Sequence, residues 1–286
     1  TIETKRGSLP ASGLLPMSFE SNRLVCAVRR EGKGVFDLQK ANMLKRISAA
    51  MLDGILLGIL AAGFGFLLSL ATGYDAGYTH LKSFYSRYET EYNISFDITQ
   101  EAYEALSPER KEIYDRASAA LSGDAEAAAA LTRVLQLSLT IVTFSLLLAC
   151  LILEYLVPLL FKNGQTLGKK AFGLAVMRSD AVRLSPLLLL ARTLLGKYTL
   201  ELMVPVLVIF LFFFGGIGIL GPGILCGLAL VQVLLLAFTQ NHTPLHDLIA
   251  HTVVVDYASQ MIFDSPEALL RAKEEYHASL ARSERY

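Results

Sequence analysis

From Ile47 to Ala71 the chain runs for 25 residues with one ionisable side chain, Asp53. At ~1.5 Å per residue, a helix of that length covers the roughly 30 Å apolar core of a bilayer. The run therefore reads as a membrane-spanning helix. Asp53 lies seven residues beyond Arg46, about 10 Å inside the helix entrance. A carboxylate at that depth is costly unless a partner answers it, so Asp53 marks a candidate functional site.

Three more apolar stretches follow, Leu135–Phe161, Leu200–Phe214 and Ile219–Phe238. Hydrophobic residues make up 53% of the chain and charged residues 18%, outside the composition of soluble domains. Glycines at 215, 216 and 218, with Gly221-Pro222-Gly223, divide the last apolar region into two short spans. The fold class expected is an all-α polytopic membrane protein, a bundle of about four transmembrane helices with a helical extracytoplasmic loop. The spans fall at about 47–71, 137–161, 186–214 and 219–239; three spans is the alternative count.

Charges are balanced overall, 26 of each sign, but they are sorted along the chain. Residues 1–46 hold nine Lys and Arg against four acids, and residues 162–197 hold seven against one. Residues 72–136 hold six basic against eleven acidic side chains. The positive-inside rule puts the N-terminus and the 162–197 segment in the cytoplasm and the 72–136 segment outside. Four spans then return the C-terminus to the cytoplasm. The organisation expected is a cytoplasmic tail over 1–43, a membrane domain over 44–256 with its insertion at 72–136, and a second cytoplasmic tail over 257–286. Nothing near the start reads as a signal peptide. Cys26, Cys150 and Cys226 form no disulfide framework, and Leu24–Val28 could make a short strand.

Local signals refine this outline. Ala50, Gly54, Gly58 and Ala62 recur every fourth residue, a stripe that lets helix backbones approach closely in lipid. Ser107-Pro108-Glu109 predicts a helix ending near Gly123, and Asp124 starts another that continues through the alanine run into the second span. Ser185-Pro186 predicts that the third span begins well before its apolar part. On that helix Lys197 and Glu201 are spaced to pair.

The charged residues near the cytoplasmic ends form a constellation. Glu154 lies seven residues before Phe161, so Asp53 and Glu154 sit at one depth if their helices run antiparallel. Arg46, Lys169, Lys170, Arg192 and Lys197 are the cations near that level. Two readings stand side by side: a structural ion-pair network that fixes helix register, and a cavity whose carboxylates bind a cation or proton. The outer halves, Gly54–Ala71, Leu137–Leu153 and Leu202–Leu220, carry no charge, which argues against a wide permanent pore.

Two denser segments complete the picture. Asn163–Lys170 has three residues between its glycines and Lys170 where a phosphate loop needs Ser or Thr, so it reads as a basic re-entry turn and not a nucleotide site. Ala175–Arg178 and Ala181–Leu184 could form a hairpin beyond it. In Asn241–His251, Thr243 caps a short helix that puts His246 and Asp247 in the first turn, with Asp247 meeting a basic residue of the 162–197 segment. His246 and His251 are five apart, off one helical face, so no metal site is expected among the histidines. No nucleophile–base pair of an enzyme is visible, and no cofactor or nucleic-acid partner is expected.

These segments together resemble the RDD family of bacterial membrane proteins, named for an arginine and two aspartates. The matching residues are Arg46 and Asp53 in Lys45–Gly54, the loop Gly164–Lys170 with Gly173–Val176, Ala191-Arg192, and the closing His246–Val254. His251 departs from the small residue usual there. The match runs from about Leu44 to Asp256 and omits the acidic 72–136 segment. The resemblance implies a multi-pass protein of the bacterial inner membrane. It also implies sodium/proton antiport, the activity linked to a family member of similar architecture. The expected function is thus secondary transport of monovalent cations or protons by Asp53 and Glu154, tuned by Arg46 and Arg192. The alternative is a non-catalytic membrane scaffold acting on a protein partner through 72–136 or the tails.

Overall fold

The computed structural model describes residues 36–283 apart from residues 37, 39, 162, 215 and 240–242. Most of the N-terminal tail, including Leu24–Val28 and Cys26, lies outside the described residues, as do Lys162, Asn241 and His242.

Helix α1 (Met43–Thr72) starts where the Asn42 side chain accepts a hydrogen bond from the Leu44 amide at 2.9 Å. It stops at Gly73, whose left-handed backbone (φ 67°) turns the chain directly into α2 (Tyr74–Tyr92). A short α3 (Gln100–Glu104) precedes α4 (Pro108–Gly123), which is capped by Ser107 as its sequence predicts. Asp124 then caps α5 (Ala125–Phe161) through the amides of Glu126 and Ala127 at 2.9 and 3.2 Å. The helices of the 72–136 segment have their own apolar cluster, in which Leu81 and Phe84 of α2 pack on Ala127, Ala130 and Val134 of α5. Arg87 ties α2 to the α5 cap by its 2.5 Å ion pair with Asp124.

The return path carries the short helix α6 (Leu167–Ala171), strand β1 (Leu174–Arg178) and helix α7 (Pro186–Phe213), capped by Ser185. Helix α8 (Leu220–Phe238), the short α9 (Leu245–Ile249), strand β2 (Thr252–Asp256) and α10 (Pro266–Ser283) follow. Four of these helices, α1, α5, α7 and α8, are long and apolar enough to cross a membrane. They pack in series: α1 lies along α5, α5 meets α7, and α7 meets α8. Large apolar side chains such as Ile59, Phe66, Leu230 and Phe238 stand exposed on α1 and α8, the surface that a bilayer covers.

The expected hairpin is corrected. Strand β1 pairs antiparallel with β2, Val176 opposite Val254, while residues 179–184 form a turn with one bridge from Val182 to Phe263. The reason is burial on both faces. Leu174, Val176 and Val254 pack on Ala41 and Ala49, and Ala175, Met177, Val253 and Val255 pack on Ala181 and Phe263. The run Val253–Val255 supplies β-branched residues for both faces, which 181–184 does not. Phe36 and Lys40 also join this unit: Lys40 bridges to Val255, and the Phe36 ring packs against Phe263 and Tyr276 of α10.

The small-residue stripe of α1 is not a seam within the chain. A Cβ added at Gly54 or Gly58 would meet nothing within 4 Å. α1 approaches α5 through Gly65, which faces Ser145 and Ile141.

Candidate functional site

The polar residues converge at the sheet-bearing end of the bundle, and the winding of two helices decides how. In α5 the segment Leu151–Leu156 and in α7 the segment Arg192–Met203 are π-helical. Arg192 and Glu201 are nine residues apart, about two and a half turns of α-helix, which would set them on opposite faces. A π-turn takes nearly one more residue, so the same nine residues make about two turns. Arg192, Lys197 and Glu201 thereby share one face of α7.

Asp53 is held on both oxygens. The Thr166 hydroxyl donates to Oδ2 at 2.5 Å and the Gly168 amide to Oδ1 at 2.7 Å. The carboxylate thus supplements Thr166, the cap residue of α6, where an anion is favoured. Lys169 Nζ stands 3.7 Å from Asp53. This docking needs glycine at 168, because a Cβ there would lie 2.3 Å from the Ala49 carbonyl oxygen and 2.8 Å from the Asp53 carboxyl. Gly168→Ala is expected to destabilise the protein by about 2–3 kcal/mol, read as a lower midpoint of thermal unfolding in detergent.

Arg192 and Asp247 form the most buried pair, both side chains at 0% exposure. Arg192 Nε donates to Asp247 Oδ1 at 2.9 Å, and the Thr252 hydroxyl donates to the same oxygen at 2.8 Å. Burial pushes the Asp247 carboxyl up, but the Arg192 guanidinium, with the Thr252 hydroxyl, holds it well below the usual carboxylate range. The expectation that Asp247 meets a cation of the 162–197 segment is met by Arg192. The cap of α9 differs from expectation: Pro244 is the cap residue, and the Thr243 hydroxyl turns back to Thr239.

Lys197 pairs with Glu154 across α7 and α5, in place of the expected pairing with Glu201. Glu201 instead accepts from Gln232 Nε2 at 3.0 Å and from His246 Nδ1 at 2.7 Å. Burial lowers the His246 pKa further than its neighbouring carboxylates raise it, so the ring is neutral at pH 7. Since a carboxylate only accepts, Nδ1 carries the proton. Here too a glycine permits the contact: a Cβ at Gly196 would lie 2.6 Å from the His246 Cβ.

These groups surround a cavity of 340 Å³ whose lining includes Arg46, Asp53, Glu154, Lys169, Glu201 and Asp247. Arg46 enters from α1, within electrostatic range of Asp247. Burial, with the nearby Lys197 and Arg192 cations, pulls Lys169 down to about 8 against the opposing pull of Glu154 and Asp53. Two lining residues, Glu154 and Asp247, each have one buried carboxylate oxygen, Oε2 and Oδ2, without a hydrogen-bond partner among the described residues. Of the ten charged or ionisable residues singled out in the sequence, only Lys170 stands apart, its ammonium 3.8 Å from the centre of the Phe161 ring. Thr166, Thr252, Gln232 and Gly196 are site residues that sequence reasoning did not single out. Thr166 and Thr252 lie within the segments that did attract notice, whereas Gln232, a lone amide in an apolar span, was the one readable signal.

A helical membrane protein whose bundle holds a cluster of compensated charges around a cavity at one end is the class defined by this fold and site. A model of the RDD family matches residues 40–251, and the chain belongs to that family. No curated protein and no solved structure matches it.

Proposed function

We propose that the protein exchanges monovalent cations for protons through this cavity, which faces the cytoplasm of a bacterial cell. The orientation follows from the seven-to-one excess of cations in residues 162–197, the segment that floors the cavity. The observation that carries the reading is the pair of buried, unpartnered oxygens, Glu154 Oε2 and Asp247 Oδ2, in a cavity that also holds a titratable lysine. Four carboxylates, Asp53, Glu154, Glu201 and Asp247, are balanced by Arg46, Lys169, Arg192 and Lys197, with His246 neutral. A cation entering this neutral set needs one positive charge to leave. Lys169 supplies it by releasing its proton, because its pKa of about 8 lies within reach of cellular pH.

The roles divide among the carboxylates. Asp53, bonded on both oxygens, positions α6 and hence Lys169. Glu154 and Asp247 each offer an unpartnered oxygen. The uncharged outer halves of the spans close the cavity on the far side, so passage requires the bundle to rearrange. The π segments that carry Glu154, Lys197 and Glu201 are the natural place for it, as π-turns recur at functional sites.

Glu154→Gln preserves shape and removes the charge. Isotopic sodium or potassium uptake into proteoliposomes is expected to fall about tenfold or more, the effect of losing one charge-assisted contact. Unchanged uptake by the folded variant would remove Glu154 from the site.

A further inference from the structure

We infer that the cavity is also open sideways to the bilayer, between α1 and α8, and takes amphiphilic organic cations whose charged head meets Glu154 and Asp247. The inference rests on the exchange reading for its coupling to protons, and adds a substrate class and a route of entry.

The route follows from the packing order. The four spans are joined in series, α1 to α5 to α7 to α8, and α1 shares no extended interface with α8. One face of α1 nonetheless lines the cavity: Met43, Ile47, Ala50, Gly54 and Leu57 recur every three or four residues, a strip about 21 Å long. Met43, Ile47, Ala50 and Gly54 are exposed, and Gly54 has open space where its side chain would be. Leu202 and Leu236 supply the facing wall from α7 and α8. The stripe of small residues thus widens a groove that runs from the lipid-facing surface to the charged floor.

The chemistry of the occupant follows from floor and walls. The lining residues Glu154 and Asp247 each keep an unpartnered carboxylate oxygen among the described residues, which favours a head that donates hydrogen bonds or carries positive charge. Lys169 and Lys197 already face Asp53 and Glu154, which leaves an anionic head poorly served. Size excludes a snug fit to a bare ion: 340 Å³ is about ten times the ~30 Å³ share of one water molecule. Among the described residues no group of three His, Cys, Asp or Glu is placed to hold a metal ion. Apolar walls with a few convergent charges instead suit an organic ligand.

The test uses the purified full chain in liposomes under an imposed pH gradient, with ethidium as amphiphilic cation and tetramethylammonium as a polar one. Wild type is expected to move ethidium and not tetramethylammonium. Gly54→Leu adds a side chain where nothing stands and favours helix, so it folds; filling the groove should cut ethidium transport about tenfold or more. Ethidium transport equal in Gly54→Leu and wild type, or matched by tetramethylammonium, would overturn the inference. Alkali-cation exchange without any ethidium transport would overturn it while leaving the exchange reading in place. Absence of both in folded wild type would end both.

Discussion

Arg192→Met is expected to be the most damaging single substitution, costing about 3–5 kcal/mol of stability. Arg192 and Asp247 are both fully buried, and Asp247 Oδ1 takes the guanidinium Nε at 2.9 Å. Removing the cation leaves a buried carboxylate with only the Thr252 hydroxyl and the weaker field of more distant charges to answer it. The loss should be felt at a distance, since Asp247 and Thr252 together fix the turn from α9 into β2, and β2 is the only strand partner of β1 among the described residues. Thermal unfolding in detergent should show a lower midpoint and reduced recovery of folded protein. The double variant Arg192→Met with Asp247→Leu should regain much of the loss, because a buried ion pair exchanged for apolar groups of similar volume is often neutral. A double variant no better than the single would mean that the pair itself, and not the orphaned charge, holds the fold.

The second large effect is on coupling. Lys169→Arg should abolish exchange at every pH, and Lys169→Gln should let cations pass without releasing protons. The groups facing Lys169 are Asp53 from α1, Glu154 from α5, Arg192 and Lys197 from α7, and Asp247 from α9. Burial, with the two cations, brings its pKa down to about 8. The sign is then fixed: well below that pH the ammonium stays and keeps a competing cation out, and above it the neutral amine admits one. Wild-type exchange should therefore rise with pH through a midpoint near 8. An arginine does not lose its proton in a protein, so the arginine variant stays in the closed charge state. Parallel isotope uptake and internal pH measurements distinguish the three proteins. Exchange that persists in Lys169→Arg would move the coupling group elsewhere.

Much of this site was legible from residue type and depth. Asp53 stood out because a bilayer makes a lone carboxylate expensive, and Asp247 because it opens a short helix close to a basic segment. Capping chemistry located the starts of α4, α5 and α7 at Ser107, Asp124 and Ser185. The misses have a common physical origin, in that each depends on contacts between distant parts of the chain. Lys197 and Glu201 satisfy the local spacing rule, yet each finds a partner on another element once α7 is wound as a π-helix, and no local pattern announces that winding. The β1–β2 pairing joins segments on either side of two membrane spans, so it competes invisibly with the shorter hairpin. The stripe from Ala50 to Ala62 has the composition of a packing seam, and composition alone cannot tell a seam from the wall of a groove. Residue type and depth mark Asp53 as a carrier of charge, and they do not reveal that both its oxygens accept hydrogen bonds, from Thr166 and Gly168, two partners more than a hundred positions away.

The most direct measurement is proton movement across liposomes containing the purified wild-type chain, driven by a sodium or potassium gradient and followed from pH 6 to pH 9. The expected result is cation-dependent proton flux that climbs through a midpoint near the Lys169 value of about 8. Folded protein that shows no cation-dependent flux at any pH would contradict exchange. The polar cluster would then be a device for fixing helix register, and helices α2 to α4 would become the surface to test for a protein partner.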